Sequence, residues 1–344
     1  MRDKSKIILL SLLLTGLGIW LCTMPGCSRS ADVTSFGGGP ESSTIGETAG
    51  QLVSLLASRY PNWKVEQETT GGSLPNLIGV DRHKLAFGLA SAADTYLASR
   101  GELKPNLPPL LNVRTMARLY GSAAHLVVRA NGPIASVDDL PGKRVAVGNP
   151  GSAGAQTAKR YFQELGLWDS IRPIFSGPSQ AMGELLRSQV DAVWQQSGLP
   201  SETLLVHGKD VLLRYLDLQE PAMRSGLFER LPFYHPIMIP ADTYPGQTMD
   251  VPTFEDGILW ICNRELGDEM VYQALTTVFS PAGLKRLRAK LAVAADMGLK
   301  TGLQNVEVTL HPGALRFWKE HGMRPPPHIL ALPEEKGSSP AGSQ

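Results

Sequence analysis

The sequence predicts an α/β protein of two lobes, each carrying a mostly parallel sheet flanked by helices. Length is the first observation: 344 residues exceed one small core and suit two α/β lobes of ordinary size. The second is composition, 42% apolar and 19% charged, which is that of an ordinary globular chain. The third is rhythm, because short apolar runs alternate with stretches of helical period, as in βαβ units. A formal net charge of +1 with no long Lys/Arg run removes the electrostatic footprint of a nucleic-acid or anionic-membrane binder.

Along the chain, Arg2, Lys4 and Lys6 precede an apolar run from Ile7 to about Met24, the pattern of an export leader over residues 1–27. The run meets Pro25-Gly26-Cys27, so three outcomes are expected: lipidation at Cys27, simple cleavage, or retention as a signal anchor. Each places the remainder in the periplasm or otherwise outside the cytoplasmic membrane. Of three cysteines, Cys22 and Cys27 lie in the leader, leaving Cys262 without a disulfide partner in the body. Its surroundings, Ile258-Leu259-Trp260-Ile261-Cys262, read as a buried strand.

In the body, Lys143 to Val147 reads as a strand, Gly148-Asn149-Pro150-Gly151-Ser152 as a turn, and Ala158, Tyr161, Phe162 and Leu165 as one face of a helix closed by Gly166. A second helix over Ser179 to Leu186 leads to the strand Ala192-Val193-Trp194. A third carries Met270, Val271, Ala274, Leu275 and Val278 after Asp268. Pro312 and Gly322 frame a last helix, and residues 326–344 form a polar, loose tail.

Glycine and serine at strand-to-helix turns leave backbone N–H groups and hydroxyls facing the crevice beyond the strand ends. Three such loops occur: Gly37 to Thr44, Thr69 to Ser73, and Gly148 to Ser152. One alone is a tight turn, whereas three together suggest a ligand cleft. Neither a phosphate loop nor a dinucleotide fingerprint is present, so no cofactor is expected. No nucleophile elbow, triad or metal-ligand spacing stands out, so neither catalysis nor a metal is expected.

Several stretches together resemble the TAXI-type solute receptors of tripartite ATP-independent periplasmic (TRAP) transporters. They are Thr70-Gly71-Gly72-Ser73 with Asn76-Leu77, His125 to Arg129, Asp139 to Val145, Pro150-Gly151-Ser152, Tyr244-Pro245-Gly246-Gln247 with Asp250 to Thr253, and His311-Pro312-Gly313-Ala314. The resemblance implies a type II periplasmic-binding-protein fold with a hinge between the lobes. Lobe 1 would comprise residues 31–124 and 236–325, and lobe 2 residues 125–235. It also implies a monomer that grips a small solute, glutamate-like or a dicarboxylate, and passes it to integral membrane TRAP subunits. The ligand-binding positions expected are Gly38, Gly39, Ser43, Thr44, Thr70, Gly72, Ser73, Ser91, Pro150, Gly151, Ser152, Ala153, Gln195, Gln196 and Ser197. The chain departs from the family at Ser42 to Glu47, where Gly-Gly-Thr-Tyr-Tyr-Pro is usual, and at Ser91-Ala92-Ala93, where Gln-Ser-Asp is usual.

Arg118 and Arg129 are further candidates, as bidentate clamps for a carboxylate. His125 and His311 read as structural hydrogen-bonding residues, and Tyr96, Tyr120, Trp194 and Tyr234 as core or as an aromatic wall. Two rival classes are a periplasmic sensor that presents its closed form to a signalling partner, and an enzyme on a periplasmic-binding fold.

Overall fold

The computed structural model describes residues 34–40 and 43–330. Cys27, the rest of the leader and residues 331–344 of the expected tail lie outside the described residues. In chain order the elements begin with β1 (Thr34–Gly37), α1 (Thr44–Arg59), β2 (Val65–Glu68), α2 (Ser73–Asp81), β3 (Phe87–Ser91) and α3 (Ala92–Arg100). They continue with β4 (Val113–Arg129), β5 (Arg144–Ala146), α4 (Ala153–Glu164), β6 (Arg172–Ile174), α5 (Pro178–Leu186) and β7 (Ala192–Ser197). Then follow α6 (Glu202–His207), β8 (Leu213–Tyr215), α7 (Gln219–Ser225), α8 (Leu227–Arg230), β9 (Tyr234–Ile239) and β10 (Val251–Asn263). Three helices close the described chain: α9 (Asp268–Phe279), α10 (Pro281–Arg288) and α11 (Pro312–Glu320).

The strands form one sheet in the order β2-β1-β3-β10-β4-β7-β5-β6, with β8 on β4 and β9 on β10. Parallel pairing, expected from the βαβ rhythm, occupies the two flanks: β2-β1-β3 on one side and β7-β5-β6 on the other. Between them run two long antiparallel strands, β4 of 17 residues and β10 of 13. The first half of β10 pairs with β9 and its second half with β3, so it passes from one part of the sheet to the other. Strand β4 does the same toward β7 and β8.

Hydroxyls cap several of the helix starts. Ser43, Ser91 and Ser152 accept from the N–H three residues on, at the heads of α1, α3 and α4. Gly166, with φ of 69°, ends the chain's turn beyond α4 as the sequence predicts. Ala158, Tyr161 and Phe162 are buried, as are Val271, Ala274, Leu275 and Val278 on α9. Cys262 is fully buried in β10, and burial raises its thiol above the ordinary range, as a core residue requires. Trp260 packs on Phe36 and Phe87 at ring distances of 6.1 and 5.7 Å, anchoring the first flank. Tyr161, Trp194 and Phe254 form a second aromatic knot at 5.3 to 6.1 Å.

Register decides which side chains share a face, because successive residues of a strand point to opposite sides. Ser91 opposes Ile258, Ile258 opposes Tyr120, and Asp256 opposes Ser122 and Tyr234. These residues, with Gln196 from β7, therefore lie on one face. Glu255, Ala123, Ser197 and Gly121 lie on the other. Leu119 is an extra residue at a bulge between the pairs Tyr120/Ile258 and Arg118/Leu259. In regular pairing Arg118 and Tyr120, two residues apart, would share a face. The bulge turns Arg118 to the opposite one.

Candidate functional site

The ends of β1, β2 and β3 converge because one buried amide ties them. Asn76, fully buried on α2, donates to the carbonyls of Gly37, Gly38 and Leu89 at 3.2, 2.7 and 2.7 Å. Its Oδ1 accepts from the Thr70 hydroxyl at 2.7 Å, and Thr70 in turn accepts from Gly72 N. Ser73 Oγ accepts from Ser91 N at 3.1 Å. Gly38, Gly39, Thr70, Gly72, Ser73 and Ser91 are thus brought to one end of this flank, as the sequence predicts. Thr44, at the head of α1, sits beside them. Gly72 has φ of 102°, a backbone that a side chain would strain.

Opposite them, Pro150, Gly151, Ser152 and Ala153 form the turn into α4 after β5. Gln196 lies close by: a Cβ at Gly154 would sit 3.4 Å from its Cβ. Gln196 Nε2 donates to Ser122 O at 2.8 Å, and its Oε1 is buried with no hydrogen-bond partner among the described residues. Gln195 and Ser197 are not part of this grouping. Strand alternation turns them to the other face, where Gln195 Nε2 donates to Ser201 Oγ at 2.6 Å. The caps also commit some hydroxyls: Ser43 donates to Pro40 O and accepts from Gly46 N.

Sequence reasoning missed the charged centre of this face. Arg160 on α4 meets Asp94 on the first turn of α3 at 3.2 Å, so this ion pair joins helices from the two flanks of the sheet. Arg160 also donates to Tyr234 Oη at 3.3 Å, and that hydroxyl donates to Thr157. Burial opposes the charge on Arg160, but Tyr234, Asp94 and Asp256 outweigh it and hold the guanidinium protonated. Asp256, 2% exposed, accepts from Ala93 N at 3.1 Å. Burial, reinforced by the charge of Asp94, pushes its carboxyl up to about 7. Tyr120 reaches the Thr48 hydroxyl on α1, and burial raises its phenol well above the ordinary range. The readable signal was the pair Glu255-Asp256 inside an otherwise apolar strand, since two acids in a buried run require partners.

The two arginines considered as carboxylate clamps lie away from this grouping. Arg118 is 2% exposed on the opposite face, bound to Glu255 at 2.6 Å and beside Asp296 at 2.9 Å. Arg129 lies at the far end of β4, paired with Leu213 of β8. His125 and His311 are structural, as expected. His125 bonds Tyr244 Oη and Ala123 O, and His311 Nδ1 caps α11 by accepting from Gly313 N.

This arrangement, strands crossing between two parallel flanks with polar loops facing each other beside them, is an α/β fold of the periplasmic-binding type. Residues 37–322 match the NMT1-like family, and the chain belongs to that family. Among solved structures it is similar to the periplasmic aliphatic sulphonate binding protein SsuA from Escherichia coli, at 15% identity over 84% of this chain and 83% of that one, with a TM-score of 0.44. It is similar as well to a putative L-cystine ABC transporter protein from Listeria monocytogenes, at 16% identity over 78% and 98%, with a TM-score of 0.47. A cysteine-binding protein from Campylobacter jejuni matches at 13% identity over 76% and 90%, with a TM-score of 0.45. Among the described residues no helix is long and apolar enough to cross a membrane.

Proposed function

We propose that the protein is an extracytoplasmic receptor that captures a small amino acid between two lobes and delivers it to a membrane transporter, catalysing no reaction. The lobes in this reading are residues 31–124 with 236–325, and residues 125–235, turning about β4 and β10. The observation that carries it is the Asp94–Arg160 pair, which bridges helices of the two flanks directly above the crossing strands. A solute carboxylate takes Arg160 and the free N–H groups at the serine-capped helix starts. Its ammonium takes Asp94 and Asp256, and Gln196 Oε1 accepts a remaining donor. Two buried acids beside one arginine disfavour a dicarboxylate, which would add two negative charges where one is already in excess. Closure of the second lobe over the solute is the signal the membrane partner reads. The motif resemblance favours TRAP subunits as that partner.

The test is thermal unfolding against amino acids, dicarboxylates, keto acids and aromatic acids at pH 7. A ligand at a thousand times its dissociation constant adds about 4 kcal/mol, which moves the midpoint by several degrees. A shift confined to amino acids supports the reading. A shift with dicarboxylates alone, or with nothing in the panel, overturns it.

A further inference from the structure

A cavity of about 750 Å³ lies between the end of α9, the start of α10, residues 295–301 and α11. None of the candidate cleft's residues lines it. Its volume falls within the range of about 300 to 1,000 Å³ typical of small-molecule sites. The lining is mainly apolar: Phe279, Met297 and Phe317 are almost wholly buried, with Leu284 and Leu299 half-buried beside them. Local hydrogen bonds build this hollow without a ligand. Ser280 Oγ accepts from Gly283 N and donates to Thr277 O, which fixes the corner between α9 and α10. Arg288, at the far end of α10, donates to the carbonyls of Ala294 and Met297 at 3.2 and 2.5 Å. Thr301 Oγ1 donates to Asp296 O at 2.6 Å and closes the turn that forms the remaining wall.

Charge at the rim is one-sided. Arg288 and Lys300 are exposed there, and neither forms an ion pair with a carboxylate among the described residues. The carbonyls that Arg288 holds carry no charge, so its positive charge stays uncancelled. Asp296, the one acid in the lining, is committed inward: its Oδ2 lies 2.9 Å from Arg118 Nη1 and accepts from Gly121 N. A preformed apolar hollow with two unneutralised cations at its mouth suits a molecule with an apolar body and one anionic end. We infer that the cavity is a second binding site, separate from the proposed solute cleft, for a free single-chain aliphatic carboxylate of medium length. The chain lies against Phe279, Leu284, Met297 and Phe317, and the carboxylate meets Lys300 and the remaining N–H groups of Arg288. Both cations keep their own stems over apolar surface while their heads stay in water, so the carboxylate is bound without being buried.

The experiment is isothermal titration of the protein with sodium dodecanoate below its micelle threshold. Dodecylammonium chloride supplies the same chain with opposite charge, and sodium acetate the same head without the chain. Saturable binding of dodecanoate is expected, with dodecylammonium at least tenfold weaker and no binding of acetate. Two variants locate the site. Lys300→Glu reverses a charge at an exposed position and should weaken dodecanoate binding at least fivefold, and Leu284→Trp fills the cavity while keeping every charge and should weaken it at least tenfold. Gln196→Leu, in the candidate cleft, should bind dodecanoate as the parent does, so failure of the solute reading leaves this result standing. No saturable dodecanoate binding, equal binding of dodecylammonium, or binding unaltered by Lys300→Glu would overturn the inference. So would capture of the protein by phosphatidylglycerol vesicles with no binding of free dodecanoate.

Discussion

Stability should fall as pH rises from 4 to 7, and Asp256 is the cause. Its carboxyl titrates at about 7 in the folded chain against an ordinary 3.8, because it is buried beside Asp94. The folded state therefore holds this proton more tightly than the unfolded state does. Unfolding releases it between those two values, so the stabilisation is complete below about pH 4 and gone above about pH 7. At 1.36 kcal/mol for each tenfold change in proton affinity, the loss is about 4 kcal/mol. For a domain of this size that is roughly 8 °C in the thermal midpoint. Asp256→Asn keeps the shape and the bond from Ala93 N but cannot ionise. The assay is the midpoint of both proteins from pH 4 to 8, whose difference cancels every other titrating group. The two should melt together near pH 4 and separate progressively, with the variant the more stable at pH 8. Parallel profiles would refute the reasoning.

Arg160→Met should cost about 3 kcal/mol, because it strands Asp94 and Asp256 without their cation, and urea unfolding at pH 7.5 measures it. Asn76→Ala leaves three carbonyls and the Thr70 hydroxyl without a partner, so a loss of about 3 kcal/mol in the same assay is expected. Gly121→Ala should cost about 2 to 3 kcal/mol by driving Glu255 off Arg118. Gly142→Ala, at φ of 76° with open space around it, should cost about 1 kcal/mol. Cys262 should stay unmodified by a thiol reagent in native buffer and react fully in urea.

Much of this was legible before the structure. The helices after the loops at Ser43 and Ser152, the buried faces of α4 and α9 and the core position of Cys262 all follow from local chemistry. So does the gathering of the loops after β1, β2 and β3, since parallel strands bring their following turns to one edge. What was not legible depends on register. Gln195, Gln196 and Ser197 look like one polar group in sequence, yet the strand sends only Gln196 to the cleft face. The bulge at Leu119 reverses Arg118, and a single extra residue leaves no mark in composition or periodicity. The Asp94–Arg160 pair joins residues 66 apart, and nothing local points from one to the other. Three of the stretches that carry the family resemblance also proved to be fasteners. Tyr244 Oη holds His125 and Ser201 N, Gln247 holds the turn through Pro240 O and Met249 O, and His311 caps α11. Such residues specify a fold and leave the solute unread.

The central claim is that a solute is read on the face shared by Ser91, Asp94, Arg160 and Gln196. Gln196 is the position that tests it with least damage, because its amide holds one backbone carbonyl and its Oε1 is unpaired among the described residues. The measurement is isothermal titration of Gln196→Leu with whichever amino acid stabilises the parent protein. The account predicts affinity reduced at least tenfold while the ligand-free melting midpoint moves by no more than a few degrees. Unchanged affinity in a variant that still folds would contradict it.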